Sequence, residues 1–144
     1  MRKMGIAMRR QDFLGLPDGG LAELGPKSLG RLSRAVRQIP RLDLVVGPVP
    51  GDDHADHRVV AAALTAIRIP GVRRLGYQVW PVTSRPQGRI AHLSLNAAER
   101  AAKAVAIRAY RSQTRAVHDD ADGFRLTPAQ IAAFARRPER FASW

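Results

Sequence analysis

The sequence predicts an α/β domain whose sheet is mostly parallel, and two observations support that prediction. A short, continuously apolar run, Leu42 to Val46, has the composition of a strand that is covered on both faces. An amphipathic helical pattern precedes this run, and a largely apolar helical pattern follows it from Arg58 to Arg68. Helices that alternate with strands are typical of parallel sheets, because two neighbouring parallel strands need a crossover connection.

The first predicted elements are a strand, a turn and a helix. Residues 13–16 (FLGL) have strand character, and residues 17–20 (PDGG) favour a turn because proline and glycine suit successive turn positions. The helix that follows ends at Pro40 and has arginines on its polar side. Its apolar residues recur at helical spacing: Leu29, Leu32, Val36 and Ile39.

The second half of the chain repeats the alternation of helix and strand. The helix over 58–68 is apolar nearly all round, so we expect it to be buried in the core. Four elements are predicted after it: a strand over 75–82, a short strand over 90–93, a helix capped by Asn96 and reaching about Thr114, and a helix that starts at Thr127 and Pro128 and ends before Pro138.

Length and composition limit the class of protein. At 144 residues the chain has the size of one domain, and the absence of cysteine excludes disulfides, iron–sulfur clusters and cysteine zinc sites. A chain without cysteine suits a reducing compartment, so we expect a cytoplasmic protein. The longest apolar stretch, Val59 to Ile67, is too short to span a membrane, and no membrane span is expected.

The charge of the chain is strongly positive, with a formal net value of +12 at pH 7. Such a charge often indicates a nucleic-acid partner. Here the cations are almost all arginine, and they are spread along the whole chain instead of being gathered in one block. We therefore expect that nucleic acid is not the partner.

The densest group of ligand-type side chains lies in the turn between the strand at 42–46 and the apolar helix. In an open α/β sheet this turn is at the carboxyl end of a strand, where ligands bind. His54 and His57 are three residues apart, so from one helical turn both imidazoles can reach one metal ion or one substrate. Asp56 is placed to fix the tautomer of a histidine. The five residues are Asp52, Asp53, His54, Asp56 and His57.

A structural interpretation of the same residues stays open. Asp52 or Asp53 could cap the helix, with both histidines as ordinary polar residues of its first turn. Two histidines also cannot complete a catalytic zinc site, which takes about three protein ligands and a water. In this interpretation Asp18 of the PDGG segment is simply a turn former.

Several separate segments, in the same order and spacing, resemble one protein family. They are FLGLPDGGL at 13–21, HADHRVV at 54–60, YQVW at 77–80, HLSLNAAERAAKAVAIRAYRSQ at 92–113 and RPERF at 137–141. Together they are similar to the C-terminal part of the LmbE-like or PIG-L family of zinc-dependent de-N-acetylases. The resemblance covers essentially all of residues 1–144, as the C-terminal portion of a single deacetylase domain.

The resemblance implies a fold, an activity and residue functions. The fold is a Rossmann-like three-layer sandwich with a mostly parallel sheet, here incomplete at the N-terminus. The activity is zinc-dependent removal of the acetyl group from an N-acetylglucosamine-type sugar or glycoconjugate. His57 resembles the zinc ligand and His54 the residue that stabilises the oxyanion. Asp56 resembles the carboxylate that orients His54, and Asp18 a residue that contacts sugar hydroxyls.

One departure from the family is large. The family's His-Pro-Asp-Asp-Glu motif, which supplies two further zinc ligands and the general base, does not occur in this sequence. We therefore expect a chain that starts within a domain, through a late-assigned start, a truncated gene or a true half-domain, and that is inactive without a complementing N-terminal half. With part of the sheet uncovered, such a chain is expected to self-associate. The alternative is a degenerate, inactive domain that serves as a basic binding module.

Overall fold

The computed structural model describes residues 12–78, 88–111, 114 and 126–143. Over these residues the chain is mixed α/β, with four helices and a four-stranded sheet. The described residues divide into two compact units, one formed by 12–92 with 140–143 and the other by 93–139. The assignment of all 144 residues to one domain stays a prediction.

The first unit contains the sheet, in the strand order β1-β2-β4-β3. β1 and β2 are parallel, with Val46 opposite Leu75, whereas β2 and β4 are antiparallel, with Tyr77 opposite Phe141. The helices and strands of the sheet unit are α1 (Pro26–Arg37), β1 (Leu44–Pro48), α2 (Ala55–Ala66), β2 (Arg73–Tyr77), β3 (Ile90–Leu93) and β4 (Glu139–Ser143), except that Leu93 and Glu139 belong to the second unit.

The prediction of a mostly parallel sheet is wrong for the described residues. The sheet is mixed because β4, from the end of the chain, lies between β2 and β3 and runs antiparallel to β2. The segment ERFAS that forms β4 has no continuous apolar run, so its composition does not identify it as a strand. The predicted strand at 13–16 is absent as well, since these residues have no regular secondary structure. A Rossmann-like three-layer arrangement stays a prediction.

The core of the sheet unit lies where α2 packs on β1, and α1 packs on α2. The prediction that the helix after the histidine-rich turn is buried is confirmed in part, because Ala61, Ala63 and Leu64 are buried whereas Ala62, Thr65 and Ala66 are exposed. Arg74 of β2 reaches the last turn of α2, where its guanidinium donates to the carbonyls of Leu64 and Ile67 and satisfies acceptors that a helix end leaves open. The buried apolar residues are Leu21, Val49, Ala61, Ala63, Leu64, Ile67 and Ala142.

β1 forms one end of the described sheet, so its outer edge has no partner strand among the described residues. Leu44 and Val46 lie on the same face of β1 and are 38% and 46% exposed. An unpaired edge beside exposed apolar side chains favours association with a further strand. The expectation of self-association is therefore consistent with this surface and stays a prediction.

The second unit contains α3 (Ala97–Ala109) and α4 (Pro128–Arg136), which pack on each other. The predicted cap at Asn96 and the predicted helix start at Thr127 are confirmed, and each residue forms a capping box with the residue three positions later. Lys103 pairs with Glu139 at 2.7 Å. α3 ends earlier than the predicted Thr114. Among the described residues, none of the helices has the length and apolar character needed to cross a membrane.

Gly88→Ala is expected to lower the free energy of unfolding by about 3 kcal/mol, through backbone strain and overpacking. Gly88 has φ +105°, and an added Cβ would overlap the carbonyl oxygen of Ser143 in β4. Gly30→Ala is the matched control, because Gly30 lies within α1 and a Cβ there meets open space. That variant is expected to raise the stability by about 0.5–1 kcal/mol. Urea denaturation measures both, and equal effects would contradict the placement of Gly88 against β4.

Candidate functional site

The candidate site is the turn between β1 and α2, and His54 is the residue at which α2 begins. The Nδ1 atom of His54 accepts a hydrogen bond from the backbone N–H of Asp56 at 3.2 Å, which makes His54 the N-cap. The backbone N–H of His54 in turn donates to Oδ1 of Asp52 at 2.9 Å. The capping residue is therefore His54 and not Asp52 or Asp53, so the carboxylates of the turn are available for other contacts.

Asp52 pairs with His57 inside the same turn. Oδ1 of Asp52 lies 2.9 Å from Nδ1 of His57. Asp52 is only 1% exposed, whereas the His57 side chain keeps 25% of its surface in solvent. An ionised carboxylate can only accept, so Nδ1 of His57 must carry the hydrogen. In the neutral imidazole this leaves the Nε2 atom of His57 with a free lone pair, which is the form that ligates metals.

The two histidines are held in opposite tautomers. His54 accepts at Nδ1 from a backbone N–H, which cannot act as an acceptor, so the hydrogen of its neutral ring is on Nε2. His57 donates at Nδ1, so its neutral ring has the lone pair on Nε2. Their ring centroids are 4.7 Å apart, with the planes tilted by 34°. Two neighbouring imidazoles thus provide one hydrogen-bond donor and one lone pair.

Asp56 connects the site to the turn near Asp18. Its carboxylate accepts from the backbone N–H of Gly19 at 2.7 Å and from that of Leu21 at 3.0 Å, and the residue is 7% exposed. These contacts place the exposed Asp18, one residue before Gly19, beside the start of α2. The predicted contact of the Asp56 carboxylate with a histidine is not what the described residues show: the carboxylate binds the Asp18 turn, and Asp56 contacts His54 through its backbone N–H.

Arg58 supports the turn from the first turn of α2. Its Nη1 donates to the backbone carbonyls of Asp52 at 3.0 Å and of Asp53 at 2.7 Å. Sequence reasoning missed both this contact and the pairing of Asp52 with His57. The only sequence signal for that pairing is a carboxylate five residues before a histidine at a helix start, and this spacing alone does not distinguish Asp52 from its neighbour Asp53.

Zinc is the metal that the resemblance implies, and the site matches it in one respect. A ligating histidine usually donates its other ring N–H to a carboxylate, as His57 does to Asp52. The described residues contain no group of three or more metal-ligating side chains. Asp53 is exposed, and His92 is exposed on β3. The residues around His118 lie outside the described part of the chain. His57 has the tautomer that a metal-ligating histidine needs.

Comparisons of the chain with known protein families, with characterised proteins and with solved structures found no match. The similarity to zinc-dependent de-N-acetylases therefore rests on the sequence motifs, and it stays a prediction. The hydrogen bonds and the burial of the turn between β1 and α2 do not depend on that similarity.

Proposed function

We propose that this chain contributes the two-histidine part of a zinc-dependent active site that hydrolyses the N-acetyl group of an N-acetylglucosamine-type sugar or glycoconjugate. The observation that carries the proposal is the pair of opposite tautomers at His54 and His57. Hydrolysis of an amide at a metal needs both a ligand lone pair and a donor for the oxyanion. Capping of α2 accounts for the tautomer of His54 but not for that of His57, which the buried Asp52 holds, so the pair is more than the helix start requires.

His57 is the zinc ligand in this proposal. Its Nε2 lone pair is available because Nδ1 donates to the buried Asp52. Zinc, when bound, supplies Lewis-acid polarisation of the amide carbonyl and makes the attacking water more acidic. The remaining ligands and the general base come from the family's His-Pro-Asp-Asp-Glu turn, which is absent from this sequence.

His54 is the oxyanion donor. Its neutral ring presents Nε2–H, and the backbone N–H of Asp56 holds the ring at Nδ1, so the donor is oriented before the substrate arrives. Preorganised donors of this kind stabilise the charge that develops on the carbonyl oxygen. Asp18 contacts the sugar hydroxyls in this proposal, since the Asp56 carboxylate binds its turn to α2.

The outer edge of β1 is where the complementing segment pairs in this proposal. The chain enters the site directly from the end of β1, and that strand has no partner on its outer side among the described residues. A strand added there in parallel would end at the same side of the sheet as β1, and the turn after it would lie beside His54 and His57. The cytoplasmic location inferred from the absence of cysteine is part of the same proposal.

The test is to complete the site and assay it. A strand followed by His-Pro-Asp-Asp-Glu, fused before Met1 or expressed beside the chain, is expected to produce zinc-dependent release of acetate from N-acetylglucosamine-type substrates. The control replaces both aspartates of the added turn by asparagine. If the completed protein binds zinc and releases no acetate, an inactive binding module becomes the better interpretation.

Without that segment, the chain is expected to bind zinc weakly, because one histidine falls short of the usual three protein ligands. Isothermal titration calorimetry of the chain with zinc measures this, and His92→Ala is the control for an exposed histidine elsewhere. A tight one-to-one complex that His57→Ala abolishes and His92→Ala preserves would show that the chain assembles a closed site alone.

A further inference from the structure

We propose that Asp52 is the positioning residue of this site and that it determines the tautomer of His57. The inference rests on the proposed function in one respect: the tautomer of His57 matters for chemistry only if His57 is the metal ligand. The tautomer itself, however, is a property of the chain alone. The motif HADH begins at His54, two residues after Asp52, so the resemblance assigns no function to Asp52.

The burial of Asp52 indicates a function other than stability. Oδ2 of Asp52 is buried and has no hydrogen-bond partner among the described residues. Leaving a buried acceptor unsatisfied costs about 1–3 kcal/mol, and more when the group is charged. Capping of α2 does not explain the residue, because His54 performs that function. The bond that the turn itself needs, from the backbone N–H of His54, could be accepted equally well by a neutral side chain such as asparagine.

The contacts of Oδ1 show what the carboxylate does. This single atom accepts from the backbone N–H of His54 and from Nδ1 of His57, both at 2.9 Å. Arg58 holds the main chain of Asp52 by donating to its carbonyl oxygen, so the position of the carboxylate is set from both ends of the residue. The acceptor therefore stands at a defined place relative to both histidines, and it bonds to the ring of only one of them.

The experiment is nuclear magnetic resonance of the full chain without added metal, at a pH where both histidines are neutral. Long-range ¹H–¹⁵N correlation distinguishes a ring nitrogen that bears hydrogen from one that does not. The variants are Asp52→Ala and Asp52→Leu, the second of which fills the space of the carboxylate if the first does not fold. Asp53→Ala is the matched control, because it removes the same charge from the neighbouring, exposed position.

In the wild type and in Asp53→Ala, His57 is expected to be the Nδ1–H tautomer. In Asp52→Ala or Asp52→Leu it is expected to become a mixture, while His54 stays Nε2–H because its partner is the backbone N–H of Asp56. His57 unchanged in both Asp52 variants would overturn the proposal. A loss of defined tautomers at both histidines would also overturn it, since Asp52 would then only support the turn.

The outcome is independent of the proposed function. If Asp52 sets the tautomer of His57 but the completed protein releases no acetate, the deacetylase proposal fails and the positioning inference stands. If acetate is released and His57 keeps its tautomer without Asp52, the deacetylase proposal stands and the positioning inference fails.

Discussion

His57→Ala is expected to abolish both zinc binding and acetate release in the protein completed with the His-Pro-Asp-Asp-Glu turn. In the proposed site the substitution removes one of three protein ligands, and a catalytic zinc with two ligands is held too weakly to remain bound. Metal content after dialysis and the rate of acetate release measure the two effects. His92→Ala, which removes an exposed histidine on β3, is expected to change neither.

His54→Ala separates the two histidines, because it is expected to leave zinc bound while slowing turnover about 100- to 1000-fold. This is the usual effect of losing one oxyanion donor. Asp56→Asn is expected to have a smaller effect, since the imidazole of His54 remains and the group that orients it is a backbone N–H. If zinc stays bound and His57→Ala, His54→Ala and Asp56→Asn all turn over substrate at the parental rate, the assigned functions are wrong.

Asp56→Ala is expected to lower the free energy of unfolding of the chain by about 3 kcal/mol or more. The carboxylate accepts two hydrogen bonds, from Gly19 and Leu21, and bonds to a charged partner contribute about 1.5–3 kcal/mol each. Both bonds join segments more than thirty residues apart, so their loss also releases the Asp18 turn from α2. Urea denaturation followed by circular dichroism measures the change.

Asp53→Ala is the control for the loss of charge at the start of α2. Asp53 is exposed, and its only described contact is through its backbone carbonyl, which the substitution retains. Its effect is expected to stay within about 0.5 kcal/mol, as is usual for surface positions. Equal destabilisation by the two substitutions would mean that helix-end electrostatics, and not the bonds to Gly19 and Leu21, account for the contribution of Asp56.

Local sequence signals predicted the helices well. Asn96 and Thr127 start α3 and α4 as expected, because each cap bonds to a backbone N–H only three residues away. The apolar residues of α2 likewise predict that it packs in the core, and Ala61, Ala63 and Leu64 are buried, although Ala62 and Ala66 are exposed. The strand at 90–93 has the predicted bounds. All of these depend on residues within one or two turns of each other.

The sheet was predicted less well, because strand pairing joins distant residues. β4 pairs with β2 across more than sixty residues, and nothing in the segment ERFAS indicates which strand it joins or in which direction. β1 is shifted by two residues from the predicted 42–46. It starts at Leu44 and ends at Pro48, a residue whose missing N–H is tolerated at the edge of a sheet. The antiparallel β4 makes the sheet mixed.

The sequence by itself predicted where the candidate site lies, because histidines and carboxylates concentrated before a helix are visible as composition and spacing. Only the tertiary structure decided how they are used. Asp52 and not Asp53 supports His57, because the turn directs one carboxylate inward and the other into solvent. Asp56 binds the Asp18 turn with its carboxylate and His54 with its backbone. A tautomer depends on which atom faces each ring nitrogen, and residue order does not specify that.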